Sequence, residues 1–192
     1  MSKSSTDREF MPQALKRFEA ARAGWQDVRK AANIDLRAVN VKGGQWETDV
    51  RLKREKAGRP VLEANELHTY VQRIVNTARK DRPQPKVSPG DDDATEEAAE
   101  FLEDRLRHIA NASQADVAYD TAVDCAAGGG FGFFEITKEY ADNGARKGRP
   151  SMNQEPRIKR ILDSMTQYPD PAAREPDFSD ARYWFSRDWM SR

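Results

Sequence analysis

The sequence lacks the features by which several classes of protein are recognised. It holds one cysteine, Cys125, in 192 residues, so an internal disulfide is excluded and a cytosolic-type environment is favoured. No apolar run approaches the ~18 residues that a membrane-spanning helix needs, and the opening residues MSKSSTDRE contain no apolar signal-peptide core. The sequence therefore predicts a soluble protein with no membrane partner and no classical export signal.

Residue types that carry common catalytic chemistry are also scarce. Only two histidines occur, His68 and His108, and neither has a Cys or His at metal-ligand spacing. The glycine-rich stretch 128–132 follows a predicted helix and precedes a predicted strand, which reverses the order found in a phosphate-binding loop. We expect no catalytic residues, no metal, no cofactor and no enzymatic activity.

The formal net charge is zero, but the charges are unevenly distributed along the chain. Residues 1–82 hold 18 Lys and Arg against 11 Asp and Glu, a net charge of +7, and residues 83–192 carry −7. Within the second part, residues 91–124 hold 11 acidic and 2 basic side chains. Two solvated faces are the simpler interpretation, and head-to-tail contact between copies is the alternative.

The hydrophobic pattern predicts an α+β fold, mostly helical over the N-terminal two-thirds and followed by a short antiparallel strand region. Apolar residues recur at helical spacing in 10–32, 65–82, 95–113 and 115–127, with Asn65 and either Thr95 or Asp93 as N-caps. At the glycines the period shortens to two residues, which predicts one strand through 131–136 and a second at 157–161. The stretches 33–45, 46–60 and 168–180 are predicted to be loops or irregular.

This pattern divides the chain into a disordered tail (1–9), a helical region (10–127) and a strand-rich region (128–192). The last apolar run, Tyr183 to Phe185, leads to Trp189 and then to the end of the sequence. We expect this run to have no strand to pair with, which would leave an exposed edge. The strand region is therefore expected to be incomplete, as in a truncated piece of a longer protein.

The most distinctive charged segment is basic and follows Trp46. Cations next to an indole can neutralise phosphates while the ring stacks on a base. The interleaved Glu47, Asp49 and Glu55 weaken the local positive field, which favours a solvated or subunit-contacting segment. The candidate residues for contact with nucleic acid or with another subunit are Arg51, Lys53, Arg54, Lys56 and Arg59.

A set of acidic residues suggests a second chemistry. Asp116, Asp120 and Asp124 recur every four residues, so they would line one face of a helix and could hold Mg²⁺. With Glu135 on the following strand they would suggest a metal-dependent nuclease. Lys138, however, lies three residues after Glu135, so strand alternation sends the two to opposite faces. An exposed acidic helix face is the favoured interpretation.

The order of several short motifs resembles the N-terminal part of tailed-bacteriophage portal proteins, in the short-tailed-phage branch. No motif is specific alone, and their order over nearly the whole chain carries the resemblance. The acidic run 91–97, the long turn 143–156 and the early end depart from it. The matching residues are Trp25 to Arg29, Asp35, Gly44 to Trp46, Arg51, Arg54, Gly58 to Pro60, Leu62, Asn65, Val75, Asn76, Arg79, Arg82, Pro83, Val87, Pro89, His108, Ile109, Ser113, Asp120, Ala122, Asp124, Gly129 to Gly132, Ile158, Arg160, Ile161, Asp170, Pro171, Asp180 and Ala181.

The resemblance implies a structural subunit in a ring of about a dozen copies at one capsid vertex. It implies that DNA is packaged and ejected through the ring, and that the partners are other copies, terminase, capsid and tail proteins, and double-stranded DNA. The location implied is the virion, after assembly in the host cytoplasm. The helical region 10–127 would be the outer, or wing, part of such a subunit. A nucleic-acid-binding module using Arg51–Arg59 and a metal-dependent nuclease remain the alternatives.

Overall fold

The computed structural model describes residues 5–41, 44–82, 84–90, 95–140 and 154–188, with side chains from residue 10 onward. Within these ranges the chain forms helices first and then short antiparallel strands, which confirms the predicted α+β class. The elements are α1 (Ser5–Gly24), α2 (Gln26–Asn40), α3 (Thr48–Lys56), α4 (Glu66–Lys80), α5 (Glu96–Ala112), α6 (Ala115–Gly129), β1 (Phe134–Tyr140), β2 (Gln154–Arg160), a 3₁₀ turn (Ser164–Thr166), β3 (Gln167–Pro169) and β4 (Trp184–Ser186).

The chain folds into two compact units. The first unit consists of Met1–Glu63 and Asp163–Arg192 and contains α1 to α3 with β3 and β4. The second unit is the intervening Ala64–Leu162, with α4 to α6 and the β1–β2 pair. The chain therefore leaves the first unit once and later returns to it. The division into a wing region and a strand-rich region at residue 127 stays a prediction.

In the first unit, the predicted helix over 10–32 is two helices that meet at Trp25. The Trp25 indole N–H donates to the carbonyl of Pro169 at 3.1 Å, which fixes the chain at the break. The prediction that the helix loosens after residue 33 is wrong, because α2 continues to Asn40. Its apolar stripe also continues, and Ala32 and Val39 are both buried.

The C-terminal strands of the first unit pack against α1. β3 pairs with β4 in antiparallel register, with Tyr168 opposite Phe185, so the last aromatic run has a partner and the expectation of an unpaired strand is wrong. The prediction that 168–180 is irregular is also wrong for its first residues, because β3 extends to Pro169. The Phe18 ring stands 5.1 Å from the Tyr168 ring and 5.6 Å from the Phe185 ring, both in edge-on geometry.

In the second unit, local sequence signals define the helix starts as predicted. The side chain of Asn65 accepts a hydrogen bond from the backbone N–H of His68 at 3.2 Å, and Thr95 accepts one from Ala98 at 3.2 Å. α4 packs on α6 through small and branched side chains, and Val75, Ala118 and Ala122 are buried.

The glycine-rich junction connects α6 to β1, as expected. α6 ends at Gly129, and the next residue, Gly130, has a φ of 87° in the left-handed region. β1 begins at Phe134, three residues later than predicted, and β2 begins at Gln154, three residues earlier. The two strands are antiparallel with Ile136 opposite Ile158. The predicted long turn falls largely on 141–153, outside the described residues.

Several large apolar side chains of the predicted helix stripes are exposed in the second unit. Phe101 on α5 is 68% exposed, and Ala99 is the buried residue of that helix. Other large apolar side chains of α4 and α5 are also exposed: Leu67, Tyr70, Ile74, Leu102 and Leu106. Cys125 is half-buried.

Candidate functional site

The candidate basic segment begins with a helix, so the prediction of a loop or extended chain there is wrong. α3 has Asp49 in its first turn and Lys53, Arg54 and Lys56 in its last turn, a distribution that suits the helix dipole. An ion pair four residues apart, Arg51 Nε to Glu55 Oε1 at 2.8 Å, adds local support. Pro60 restricts only Arg59, which lies beyond the helix end.

Two of the five candidate cations serve the segment itself. The Arg54 guanidinium lies 5.2 Å from the centre of the Trp46 ring and donates to the carbonyl of Pro60 at 3.1 Å. The Trp46 indole N–H in turn donates to the carbonyl of Leu62 at 3.2 Å. Arg54 and Trp46 therefore close the loop after α3, and Arg51 is held by Glu55.

The end of α3 is closed by a Schellman motif. The backbone N–H of Gly58 donates to the carbonyl of Glu55 at 3.0 Å, and that of Arg59 donates to Arg54 at 2.9 Å. This pair of hydrogen bonds requires a left-handed backbone at the first residue after the helix cap. Gly58 occupies this position with a φ of 64°. The motif turns the chain sharply and places Arg59 just past the helix end.

The three remaining cations, Lys53, Lys56 and Arg59, are exposed. No ion pair to any of them occurs within the described ranges. α3 has no buried residue, and Leu52, which neighbours Lys53 and Lys56, is 47% exposed. The available charge of the segment is therefore three cations around one apolar side chain.

The acidic face of α6 forms ion pairs with Arg79 of α4 and with Arg82, two residues after the end of that helix. The Arg82 guanidinium bonds the carboxylates of both Asp116 and Asp120, one on each terminal nitrogen. Arg79 Nε lies 3.2 Å from the other oxygen of Asp120. The Arg82 and Asp120 side chains are only 21% and 29% exposed, so this network joins α4 to α6 at a partly buried position.

This geometry removes the support for a metal-dependent nuclease. Of the three aspartates in this alternative, Asp116 and Asp120 are paired with arginines, and Asp124 is exposed. No set of three His, Cys, Asp or Glu side chains that could hold a metal occurs among the described residues. Glu135 is exposed on β1, apart from any such set.

Arg29, a polar side chain of the first unit with several partners, was not singled out as a site residue from the sequence. Its guanidinium donates to the carbonyls of Met165 and Gln167 and lies 3.9 Å from the centre of the Tyr168 ring. Burial lowers the pKa of Arg29 from its usual value. Its position four residues after Trp25 was the available signal, because that spacing puts both on one helix face.

Carboxylates shape the loop between β3 and β4. Asp170 is buried and accepts from the backbone N–H groups of Ala172 at 2.9 Å and Arg182 at 3.4 Å. The Ala172 bond, more than any other contact, lowers the pKa of Asp170. Asp180 likewise accepts from the N–H of Arg174 at 2.8 Å. Asp170 and Asp180 are both among the residues that carry the resemblance to portal proteins. Their hydrogen bonds show that they hold the backbone of this loop in place.

No described helix combines the length and apolar character needed to cross a membrane.

The model of the phage P22-like portal protein family matches residues 15–192. A portal protein of Acyrthosiphon pisum secondary endosymbiont phage 1 is 29% identical over 180 residues, which make up 90% of this chain and 24% of that protein. The chain thus spans about a quarter of the length of this curated relative. Because the family model covers nearly all of the sequence, the chain belongs to the phage P22-like portal protein family.

Proposed function

We propose that this chain serves as part of a structural subunit of a phage portal, the ring at one capsid vertex through which DNA is packaged and ejected. The observation that carries the proposal is the family match over residues 15–192. The relative that is 29% identical bears the name portal protein, which supports the same role. The pairing of Asp116 and Asp120 with arginines is consistent with a role in structure and not in catalysis.

The partners that follow from this role are other copies of the chain, terminase, capsid and tail proteins, and double-stranded DNA in the channel. The site of action would be the virion, with assembly in the host cytoplasm. Exposed apolar side chains on α4 and α5, such as Tyr70 and Phe101, support contacts with other protein surfaces.

We infer that the basic segment contributes to these contacts through Lys53, Lys56 and Arg59. Arg51 and Arg54 belong to the same candidate set, but their ion pair and carbonyl bonds assign them to positioning the segment. Replacing a positioning arginine should disturb the fold of the segment. Replacing Lys53 or Lys56 should change binding alone.

The proposal is tested by inactivating the gene in the phage that encodes it. Heads should form without packaged DNA and without attached tails, because the conduit and docking site are missing. Electron microscopy and measurement of nuclease-protected DNA provide the readouts, and the intact gene supplied in trans should restore both. DNA-filled heads in the absence of the gene product would overturn the proposal.

The two alternatives have separate readouts on the purified protein. A nucleic-acid-binding module would bind short duplex DNA with an affinity that falls steeply with salt and drops in Lys53→Ala. A nuclease would cut DNA in Mg²⁺ and lose this activity in Asp120→Asn. For a portal subunit we expect no cutting in either form.

A further inference from the structure

Two exposed helix faces of this chain carry opposite charges around an apolar side chain. The basic face consists of Leu52, Lys53 and Lys56 on α3 together with Arg59. The acidic face consists of Glu97, Glu100 and Phe101 on α5. Lys53 and Lys56 are three residues apart, and Glu97 and Phe101 are four apart, so each set shares one side of its helix.

The charges on both faces are available for an external partner. Elsewhere on the same helices, Arg51 pairs with Glu55, and Arg107 pairs with Glu103 at 3.0 Å and with Asp104 at 3.1 Å. Among the described residues, neither Glu97 nor Glu100 has an ion-pair partner, and the same holds for the cations of the basic face.

The apolar centres of the two faces are equally uncovered. Phe101 is 68% exposed and Leu52 is 47% exposed. A partner that covers this Phe ring removes its apolar surface from water, which favours association. Each face therefore combines an apolar centre with unpaired charges of one sign, and the two signs are opposite.

We propose that the basic face of one copy docks on the acidic face of a second copy. Both faces belong to the same chain, so every copy can use each face once, and the contact is head-to-tail, the type that closes into rings. The first unit, which carries the basic face, has a net charge of +3, and the second unit, which carries the acidic face, has −3, so long-range attraction between copies acts in the same direction. The inference rests on the proposed function only in that a portal ring needs such a repeating interface.

Double-stranded DNA is the competing occupant of the basic face. DNA would use Lys53, Lys56 and Arg59 for phosphate contacts, but it would leave Phe101 uncovered and would be repelled by Glu97 and Glu100. Only a second copy uses both faces. The observations therefore favour the protein contact, and DNA binding becomes an outcome of the test.

The test uses two charge-reversed variants of the chain. Variant A is Lys53→Glu with Lys56→Glu, and variant B is Glu97→Lys with Glu100→Lys. In A both faces are acidic and in B both are basic, so each should self-associate with a Kd about tenfold or more above that of the unaltered chain. An equimolar mixture of A and B restores opposite charges at every contact and should regain association. Analytical ultracentrifugation at low and high salt measures all four samples.

A control variant, Lys16→Glu with Lys86→Glu, changes the net charge as A does but lies off both faces, and it should associate like the unaltered chain. Phe101→Ala should weaken association several-fold while leaving the circular dichroism spectrum unchanged.

Failure of the A and B mixture to associate overturns the proposal, as does an unaltered chain that stays monomeric. Loss of duplex-DNA binding in A with unchanged self-association assigns the basic face to DNA instead. The gene-inactivation experiment tests the portal function separately. The portal function can therefore be supported even if this contact between copies is disproved.

Discussion

At the scale of single residues, the junction between α6 and β1 depends on the absence of a side chain at Gly132. A Cβ built there would lie 1.8 Å from the backbone oxygen of Ala122, which cannot move without shifting α6. Gly132→Ala should lower the free energy of unfolding by about 2–4 kcal/mol, measured by urea denaturation followed by circular dichroism. Gly90→Ala is the control, because no described residue other than its chain neighbours has an atom within 4 Å of its Cβ position, and it should change stability by less than about 0.5 kcal/mol. Equal effects of the two would contradict this account.

The pair of Arg82 with Asp120 is expected to couple more strongly than an exposed ion pair. A double-mutant cycle with Arg82→Met and Asp120→Asn should give a coupling energy of about 1–2 kcal/mol. Both side chains are mostly buried, and the hydrogen bond between them is charge-assisted. The Lys30–Asp27 pair, with side chains 63% and 94% exposed, is the matched control. Its coupling should lie below about 0.5 kcal/mol. A coupling near zero at Arg82 would mean that the network does not join α4 to α6.

Asp170 makes the first unit sensitive to acid. Its pKa is lowered chiefly by the N–H of Ala172, so ionisation favours the folded state. The stabilisation is complete above the ordinary value of about 4 and is lost as the pH falls through the lowered pKa. In Asp170→Asn the unfolding midpoint, followed by tryptophan fluorescence, should vary less between about pH 4 and pH 2. An unfolding midpoint that changes with pH in Asp170→Asn as much as it does in the unaltered chain would contradict the role of Asp170.

At the scale of elements, the β3–β4 pair is held on α1 by aromatic contacts. Phe18→Ala removes the ring that meets both Tyr168 and Phe185, and it should cost about 2–4 kcal/mol of unfolding free energy. Phe10→Ala, on the same helix but 64% exposed, should cost less than about 0.5 kcal/mol. Fluorescence-detected denaturation compares the two. Similar losses would indicate that the edge-on contacts do not stabilise the first unit.

The elements set by local chemistry were predictable from the sequence, and those set by distant contacts were not. Asn65 and Thr95 cap helices because their side chains reach N–H groups three residues away, so the signal lies within one turn. The stop of α6 at the glycines is local in the same sense. The β3–β4 pair joins residues 15 to 19 positions apart around a Pro- and Asp-rich loop, and nothing in the pattern of Gln167–Pro169 distinguishes it from that loop.

The candidate site was predicted in composition but not in structure. The cations from Arg51 to Arg59 were identified, whereas the helix that separates them into two sets was missed. The stretch 46–60 was predicted to be a loop, although a Schellman motif at Gly58 ends a helix, α3, within it. Only this geometry assigns Arg54 to Trp46 and leaves Lys53 and Lys56 on the outer side. Arg29 was missed for the related reason that its carbonyl partners lie more than 130 residues away.

At the scale of the whole molecule, the order of elements along the chain differs from their grouping in space. The second unit is one continuous segment, Ala64–Leu162, whereas the first needs both Met1–Glu63 and Asp163–Arg192. A continuous unit can acquire its contacts from local segments, but a discontinuous one must bring distant segments together. The two units are therefore expected to respond differently to removal of the C-terminal segment.

Deletion of residues 163–192 should expose this difference. It removes the carbonyl acceptors of Trp25 and Arg29 and the rings that contact Phe18, all within the first unit. The amides of α1 and α2 should then lose about tenfold or more of their protection in hydrogen exchange, because their packing partner is gone. The amides of α4 and α6 should keep theirs, since Val75, Ala118 and Ala122 pack within the continuous unit. Equal loss in both units would mean that they unfold together, and unchanged protection in α1 and α2 would mean that these helices do not depend on β3 and β4.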